Sequence, residues 1–309
     1  MSKLFVVGIG PGDLKHMTFE AREAIESADV VVGYATYLDL IGPLLAGKEV
    51  VSSGMMREVE RCREALAIAA AGKTVALVSS GDAGVYGMAG LVLELAAHVG
   101  AHGMRPGDKD QRPAPLQKPE IVIVPGVSAV QAAAAVLGAP LMHDFAVISL
   151  SDLLTPWQTI RQRLAAAAAA DFVVALYNPR SKGRVTQIEE ARAILLASRP
   201  PQTPVGIVRN ACRPGEEKIV TTLAEMLDHE IDMFSIVIIG NAASFVDGEG
   251  RMVTPRGYEA GARSEERGAR KNLEPRTSDL EPQHGKALMF CGTGSDVGKS
   301  VLTLSLIHI

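Results

Sequence analysis

The sequence predicts an α/β fold with two α/β domains, a parallel sheet in the first and a mixed sheet in the second. Short β-branched runs alternate with helical patterns along most of the chain, as is typical of parallel strands joined by helical crossovers. Two strand patterns, at 204–208 and 218–221, have no helix between them, which indicates that the second sheet is mixed. With 309 residues, 47% of them hydrophobic, the chain can bury the cores of two domains.

The first domain is predicted over residues 1–139. Its strands are short β-branched runs, expected at 4–7, 29–32, 49–51, 74–79 and 120–124. Its helices are predicted from apolar residues at helical spacing, at 18–27, 57–71, 85–99 and 128–137. Thr18 suits the N-cap of the first helix and Gly72 the end of the second. The polar, proline-rich stretch from 100 to 119 is predicted to be a surface insertion.

The second domain is predicted over residues 140–258. Strands are expected at 144–150, 171–177, 204–208, 218–221 and 235–239. Helices are expected at 156–170, 184–198 and 223–227. Ligands of open α/β sheets bind beyond the carboxyl ends of the strands, so the loops that follow strands are the candidates for a site.

Charge and cysteine content exclude several classes of protein. A net charge of −4 and a pI near 6.0 give no electrostatic footprint for nucleic acid or for an anionic membrane. No apolar run approaches the roughly 18 residues of a membrane-spanning helix, and no signal peptide is expected. The three cysteines, Cys62, Cys212 and Cys291, are too far apart for a C-x-x-C metal site. A cytoplasmic protein without a bound metal is therefore predicted.

The glycine-rich loop after the first strand does not fit a dinucleotide site. The G-x-G-x-x-G pattern that begins at Gly8 has Asp13 in place of the third glycine, and this carboxylate would repel a phosphate. Pro11 lacks a backbone N–H that could bind one. The second predicted strand ends at Gly33-Tyr34, without the acid that binds a ribose hydroxyl. Taken alone, the loop is better explained as a turn without a ligand.

Three loops of small residues follow predicted strands of the first sheet, at 8–13, 80–87 and 125–129. Each one alone is equally well explained as a tight turn with a helix cap. Together they predict a single cleft, because the carboxyl ends of parallel strands meet at one edge of a sheet.

These three loops, together with Tyr177-Asn178-Pro179-Arg180-Ser181, resemble the tetrapyrrole (precorrin) methylase family over about residues 3 to 256. Within it, the runs at 84–88 and 178–181 look most like its precorrin-3B C17-methyltransferase branch, known as cobalt-factor III methyltransferases in the anaerobic route. The resemblance implies ring-contracting C17 methylation in cobalamin (vitamin B12) biosynthesis. It also implies S-adenosylmethionine in a cleft between two α/β domains, a tetrapyrrole substrate and a homodimer.

The resemblance also implies a set of cofactor contacts: Pro11, Gly81, Asp82, Ala83, Ser128, Ala129, Asn178, Asn210 and Ala211. The sequence departs from the family at Ala83, where proline is frequent. Asp82 is in addition the candidate catalytic residue, although a plain carboxylate at a helix N-terminus is the alternative. The carboxylates of a tetrapyrrole call for basic side chains. The candidates are Arg57, Arg180, Lys182 and Arg184, and for each a solvated surface role is at least as good an explanation.

The chemistry of S-adenosylmethionine agrees with these loops. The cofactor carries a sulfonium cation and no phosphate, so a turn with a proline and an aspartate suits it better than it suits a dinucleotide. Methyl transfer is an in-line displacement in which holding the two reactants in line can supply about 7 to 11 kcal/mol. No nucleophilic side chain is needed. Two alternatives stay open: a methyltransferase of the same family that acts at another ring carbon, and a tetrapyrrole-binding module without catalysis.

The C-terminal residues are predicted to be separate from both domains. Residues 259–285 are charged and poor in apolar side chains, which predicts a disordered linker. Residues 286–309 resemble the start of cobyric acid synthase, since Gly298-Lys299-Ser300 matches the end of a P-loop. The chain stops nine residues later, so a truncated P-loop fragment without ATP activity is expected, as a natural fusion or as an artefact.

Overall fold

The computed structural model describes residues 2–99 and 118–258. The chain from Met1 to Tyr258 forms one compact unit. The linker predicted at 259–285, the P-loop fragment predicted at 286–309 and nearly all of the insertion predicted at 100–119 lie outside the described residues. No helix in the described part of the chain is long and apolar enough to cross a membrane.

Five parallel strands form the first sheet, in the order β3-β2-β4-β1-β5. They are β1 (Lys3–Gly8), β2 (Val30–Tyr34), β3 (Glu49–Ser53), β4 (Val75–Ser79) and β5 (Glu120–Val124). The predicted parallel sheet is therefore confirmed. Because β1 lies between β4 and β5, the three small-residue loops that follow these strands leave the sheet side by side.

Helices cover both faces of the first sheet. They are α1 (Phe19–Ser27), α2 (Ala35–Leu40), α3 (Glu58–Ala70) and α4 (Ala89–Val99). Alternate strand residues point to opposite faces, so Val6 packs in one buried cluster with residues of α3 and α4, while Val7 packs in another with residues of α1. The Thr18 hydroxyl accepts the Ala21 N–H at 3.1 Å, which confirms the predicted N-cap of α1.

The second sheet is mixed, as predicted, in the order β10-β9-β11-β8-β7. Strand β11 runs antiparallel to both β8 and β9, β10 is antiparallel to β9, and β7 is parallel to β8. A separate three-stranded sheet joins β12, β13 and β6. The strands are β6 (Gly138–Ala139), β7 (Phe145–Ser149), β8 (Val173–Tyr177), β9 (Pro204–Arg209), β10 (Glu217–Thr222), β11 (Ser235–Ile239), β12 (Phe245–Val246) and β13 (Met252–Val253).

Three helices pack on the second sheet: α5 (Ala129–Leu137), α6 (Trp157–Ala169) and α7 (Gln187–Leu196). Helix α5 lies within the predicted first domain, yet its buried residues pack on this sheet. A Cβ atom at Gly206 of β9 would lie 2.5 Å from Cδ2 of Leu137, so the absence of a side chain there lets α5 approach closely. The division into domains at residue 139 stays a prediction.

Three predicted helices differ from the observed ones. Helix α4 begins at Ala89 and not at 85, because residues before it form a loop in which the Ala89 N–H donates to the Ala83 carbonyl at 2.9 Å. Helix α7 begins at Gln187 and not at 184, because a hydrogen-bonded turn joins Ser181 and Arg184. The helix predicted at 223–227 is wrong, since only a single 3₁₀ turn forms, at Met226–Asp228.

Candidate functional site

The three small-residue loops meet through their backbones, and the expected convergence is confirmed. A Cβ atom at Gly8 would lie 2.7 Å from the Gly126 nitrogen and 2.8 Å from the Gly81 oxygen. Gly10 and Gly81 exchange two hydrogen bonds: the Gly10 N–H donates to the Gly81 oxygen at 3.0 Å, and the Gly81 N–H to the Gly10 oxygen at 2.7 Å. At Gly8 and Gly10 neighbouring backbone fills the space that a side chain would need, whereas Gly81 has a left-handed φ of +68° that favours glycine.

The Asp82 carboxylate links two of these loops by hydrogen bonds. One carboxylate oxygen accepts the Gly84 N–H at 2.7 Å and the Val85 N–H at 3.1 Å, and the other accepts the Gly126 N–H at 3.0 Å. A carboxylate that accepts three N–H groups is held firmly in one orientation. The side chain therefore orders its own loop and ties it to the loop after β5.

A cavity of about 310 Å³ opens where these loops face the second sheet. This volume lies at the lower end of the range for small-molecule sites. Its wall comes from both halves of the unit, the first half built on the first sheet and the second half built on the second sheet. The apolar and aromatic wall residues include Tyr34, Tyr37, Met55, Val85, Tyr86, Tyr177, Met233 and Phe234. Its polar wall includes Ser80, Asp82, Ser128, Asn178, Asn210, Arg213 and Ser235.

The mixed order of the second sheet explains how strands β8, β9 and β11 all reach the cavity. Asn178 follows the end of β8 and Asn210 the end of β9, whereas Ser235 begins β11, which runs the opposite way. The start of β11 therefore lies on the same edge as the ends of its neighbours, and the Asn210 N–H donates to the Phe234 carbonyl at 3.1 Å. Asn178 and Asn210 have φ values of +49° and +51°. Such left-handed backbone in residues other than glycine is frequent at functional sites.

Two tyrosines connect the first-half loops to the second sheet on one side of the cavity. The Tyr86 hydroxyl donates to the Val147 carbonyl at 3.2 Å and accepts the Ser149 N–H at 3.1 Å. The Tyr177 hydroxyl accepts the Val130 N–H at 2.9 Å, and the two rings lie 5.2 Å apart. Burial raises the pKa of both phenols above 10, so both stay neutral near pH 7 and serve as hydrogen-bonding groups.

Arg213 connects the two halves on the other side of the cavity. Its Nε–H donates to the Pro11 carbonyl, and its Nη2 donates to the Ser80 hydroxyl at 2.6 Å. A Cβ atom at Gly12 would lie 2.8 Å from Nε of Arg213, so glycine leaves the room that this side chain occupies. Arg213 thus bonds to two of the three loops from a position just after β9.

Eight of the nine residues expected at the cofactor lie on the cavity wall: Pro11, Gly81, Asp82, Ser128, Ala129, Asn178, Asn210 and Ala211. Ala83 is fully buried and packs in the cluster that contains Met88 and Ala89. The structure thus brings the eight together, while their roles, and a catalytic role of Asp82, stay predictions.

The four basic residues expected at the substrate are not on the cavity wall. Arg57 is exposed and pairs with Glu60 at 2.6 Å. Arg184 donates to the Asn178 carbonyl at 3.1 Å, which holds the loop after β8. Arg180 is half-buried and Lys182 is exposed on the same loop. Their contact with a substrate stays a prediction.

Several wall residues were not predicted from the sequence. Tyr34 ends β2, and Thr36 and Tyr37 follow it, so the rule that ligands bind at the carboxyl ends of strands could have indicated them. The Met233–Ile236 segment lies at the start of an antiparallel strand, which a rule for parallel strands does not cover. Arg213 carries no signal of its own in the sequence, because its importance comes from contacts with residues about 130 and 200 positions away.

Comparison with known proteins assigns this architecture. The Tetrapyrrole (Corrin/Porphyrin) Methylases profile matches residues 3–227. A probable cobalt-factor III C(17)-methyltransferase of Salmonella typhimurium is 51% identical over 257 residues, covering 82% of this chain and 99% of that protein. The cobalt-factor III methyltransferase of Priestia megaterium is 50% identical over 257 residues; the match covers 83% of this chain but only 45% of that longer protein.

A solved structure leads to the same assignment. The crystal structure of the methyltransferase CobJ matches with a TM-score of 0.72 and 36% identity, covering 82% of this chain and all of that chain. On the profile match, the two relatives and this structure, the chain belongs to the family of tetrapyrrole (corrin/porphyrin) methylases.

Proposed function

We propose that this protein is an S-adenosylmethionine-dependent methyltransferase that methylates C17 of precorrin-3B or cobalt-factor III, with ring contraction, in cobalamin biosynthesis. The observation that carries the proposal is the cavity between the three small-residue loops and the second sheet. Eight residues that the family resemblance assigns to the cofactor lie on its wall. The two relatives at 50% and 51% identity, both named for cobalt-factor III methylation, support the choice of reaction.

The cavity suits S-adenosylmethionine better than a nucleotide phosphate. Asp82 is a carboxylate on its wall, and Pro11 removes an N–H donor from the first loop. Aromatic and thioether side chains such as Tyr34, Met55 and Phe234 offer an apolar surface to an adenine ring. The bound cofactor supplies an activated methyl group.

The protein's own residues contribute positioning in this proposal. Asp82 fixes the loops after β4 and β5, and Tyr86, Tyr177 and Arg213 hold those loops against the second sheet. Fixing the walls of the site in this way keeps the two reactants in line, which is the main requirement of a displacement at a methyl carbon. We further propose that the protein is a homodimer, as the family resemblance implies, and that it is cytoplasmic, as its widely spaced cysteines indicate.

The test is methyl transfer by purified protein. The protein is incubated with methyl-labelled S-adenosylmethionine and either cobalt-factor III or precorrin-3B, and the products are analysed by mass spectrometry and NMR. The proposal expects a contracted ring with the label at C17, and the preferred acceptor identifies the cobalt-containing or the metal-free route. A label at another carbon would support a different methylase of the family. Cofactor binding without transfer to either acceptor would support a binding module.

A further inference from the structure

Arg213 uses only one edge of its guanidinium group to hold the loops of the first half. Arginine presents five N–H donors in a rigid planar fork. The bonds to Pro11 and Ser80 come from Nε and Nη2, which lie on the same edge. Among the described residues, no acceptor is bonded to Nη1. Three N–H donors therefore remain, two on Nη1 and one on Nη2, and one from each of these nitrogens forms the other edge.

Arg213 also supplies positive charge to the cavity wall. It is the only lysine, arginine or histidine among the described residues that line the wall. The only acidic side chain there, Asp82, already accepts three backbone N–H groups, and no described carboxylate pairs with Arg213. Burial lowers the pKa of Arg213, because removal from water penalises the charged form. An anion in the cavity would compensate this penalty.

We propose that Arg213 is the carboxylate-binding residue of the cavity. One edge of the guanidinium fixes its position on the first-half loops, and the other edge receives a carboxylate through two parallel hydrogen bonds. The inference rests on the proposed function, which brings two sources of carboxylate to the cavity: the amino-acid end of S-adenosylmethionine and the side chains of the tetrapyrrole. Lysine is a poor replacement because its ammonium group lacks the two-edged planar fork.

The experiment compares Arg213→Met and Arg213→Lys with a matched control, Arg192→Met. Arg192 also donates through Nε and Nη2, in its case to the carbonyls of Leu223 and Ala224, but it is not on the cavity wall. Calorimetry measures the Kd of S-adenosylhomocysteine and of methylthioadenosine, which lacks the amino-acid carboxylate. The methyl-transfer assay measures KM and kcat for the tetrapyrrole.

Each source of carboxylate gives its own expected result. If Arg213 binds the amino-acid end, Arg213→Met weakens S-adenosylhomocysteine at least about tenfold and methylthioadenosine less than about threefold. If it binds the tetrapyrrole, the tetrapyrrole KM rises at least about tenfold, with a smaller change in kcat and in both affinities. In either case Arg213→Lys recovers part of the loss, and Arg192→Met leaves these constants within about twofold of wild type.

Two results would overturn the inference. Equal weakening of the two adenosine ligands with an unchanged tetrapyrrole KM would mean that Arg213 only holds the loops. Constants equal to those of wild type would mean that it has no role in binding. Failure of the proposed function is distinguishable, because wild-type protein would then transfer no methyl group to either acceptor while the comparison of the two adenosine ligands could still be made.

Discussion

Asp82 illustrates how one side chain can set the shape of a site through hydrogen bonds to the backbone. Its oxygens accept two N–H groups of its own loop and one from the loop after β5. The sequence predicts Asp82 as a cofactor contact and as the candidate catalytic residue, with a plain carboxylate at a helix N-terminus as the alternative. The observed bonds add a further role, since Asp82 links two loops whose strands are separated by β1 in the sheet.

The amide of Asp82→Asn cannot accept at both positions, so its NH₂ group would face one of the backbone N–H donors. We expect this change to destabilise the protein by about 2 kcal/mol and to weaken S-adenosylhomocysteine binding about tenfold in calorimetry. Asp29→Asn is the matched control, because Asp29 accepts the Thr74 N–H at 2.8 Å outside the cavity. Because the amide oxygen of Asp29→Asn can still accept this single N–H, the control should keep both its stability and its affinity close to wild type. An unchanged affinity in Asp82→Asn would remove Asp82 from the site.

Gly126 is the residue at which the three loops approach most closely. Its Cβ atom would lie 2.5 Å from the Gly8 oxygen, and it would also clash with the Gly81 oxygen. Gly126→Ala should therefore cost at least about 2 kcal/mol of stability, since backbone must move apart, and it should reduce cofactor affinity. In Gly90→Ala, by contrast, the new methyl group meets nothing within 4 Å. Equal melting temperatures for the two variants would contradict the close approach.

Strand β7 is the edge of the second sheet, and Tyr86 pairs with it where another strand would lie. The phenol hydroxyl bonds to the Val147 carbonyl and to the Ser149 N–H. Edge strands leave such groups unpaired unless something covers them. Tyr86 has a φ of +54°, which is strained for a tyrosine, so the backbone bends to bring the ring to this edge.

Tyr86→Phe removes both of these hydrogen bonds and keeps the ring against Tyr177. Because the Ser149 N–H loses an acceptor worth about 1 kcal/mol, this amide should exchange its hydrogen roughly fivefold faster. Hydrogen-exchange mass spectrometry or NMR measures this rate directly. Tyr258→Phe, at a three-quarters exposed position, should leave it unchanged. If Ser149 exchanges at the wild-type rate in Tyr86→Phe, the hydroxyl does not hold the loop to β7 in solution.

The elements that the sequence predicted well are those with a periodic apolar pattern. All five strands of the first sheet and the central part of each long helix agree with the structure. Residues 85–88 and 184–186 were predicted as the first turns of helices but belong to loops. Their conformation is decided by tertiary contacts, such as the bond from Arg184 to the Asn178 carbonyl, and propensity cannot anticipate such contacts.

At the scale of the whole molecule, the glycine loops could be predicted because they follow strands of one parallel sheet. The opposite wall was only partly predictable. Asn178 and Asn210 were found through the family resemblance, whereas the start of β11 requires the direction of each strand in a mixed sheet. Arg213 requires knowledge of how the two halves meet. The sequence therefore predicts loops at the edges of the sheets, but only the structure shows how the two sheets face each other.

The buried thiol of Cys62 offers a way to measure how the stability of the compact unit depends on pH. Cys62 has no exposed surface, and burial raises its pKa from 9.0 to about 11. Between these values the folded state binds more protons than the unfolded state, so stability falls as pH rises. The contribution is complete below about pH 9, and at most about 3 kcal/mol is lost by about pH 11.

Urea unfolding at several pH values between 8 and 11, for wild type and Cys62→Ala, isolates this contribution. Cys62→Ala loses packing at every pH, but its free energy of unfolding should decline less steeply above pH 9 because the titrating thiol is gone. Tyr37, Tyr86 and Tyr177 also have pKa values raised by burial, so both proteins keep a residual decline of the same sign. Parallel curves would mean that the thiol titrates alike in the folded and unfolded states, and that the core around α3 admits water.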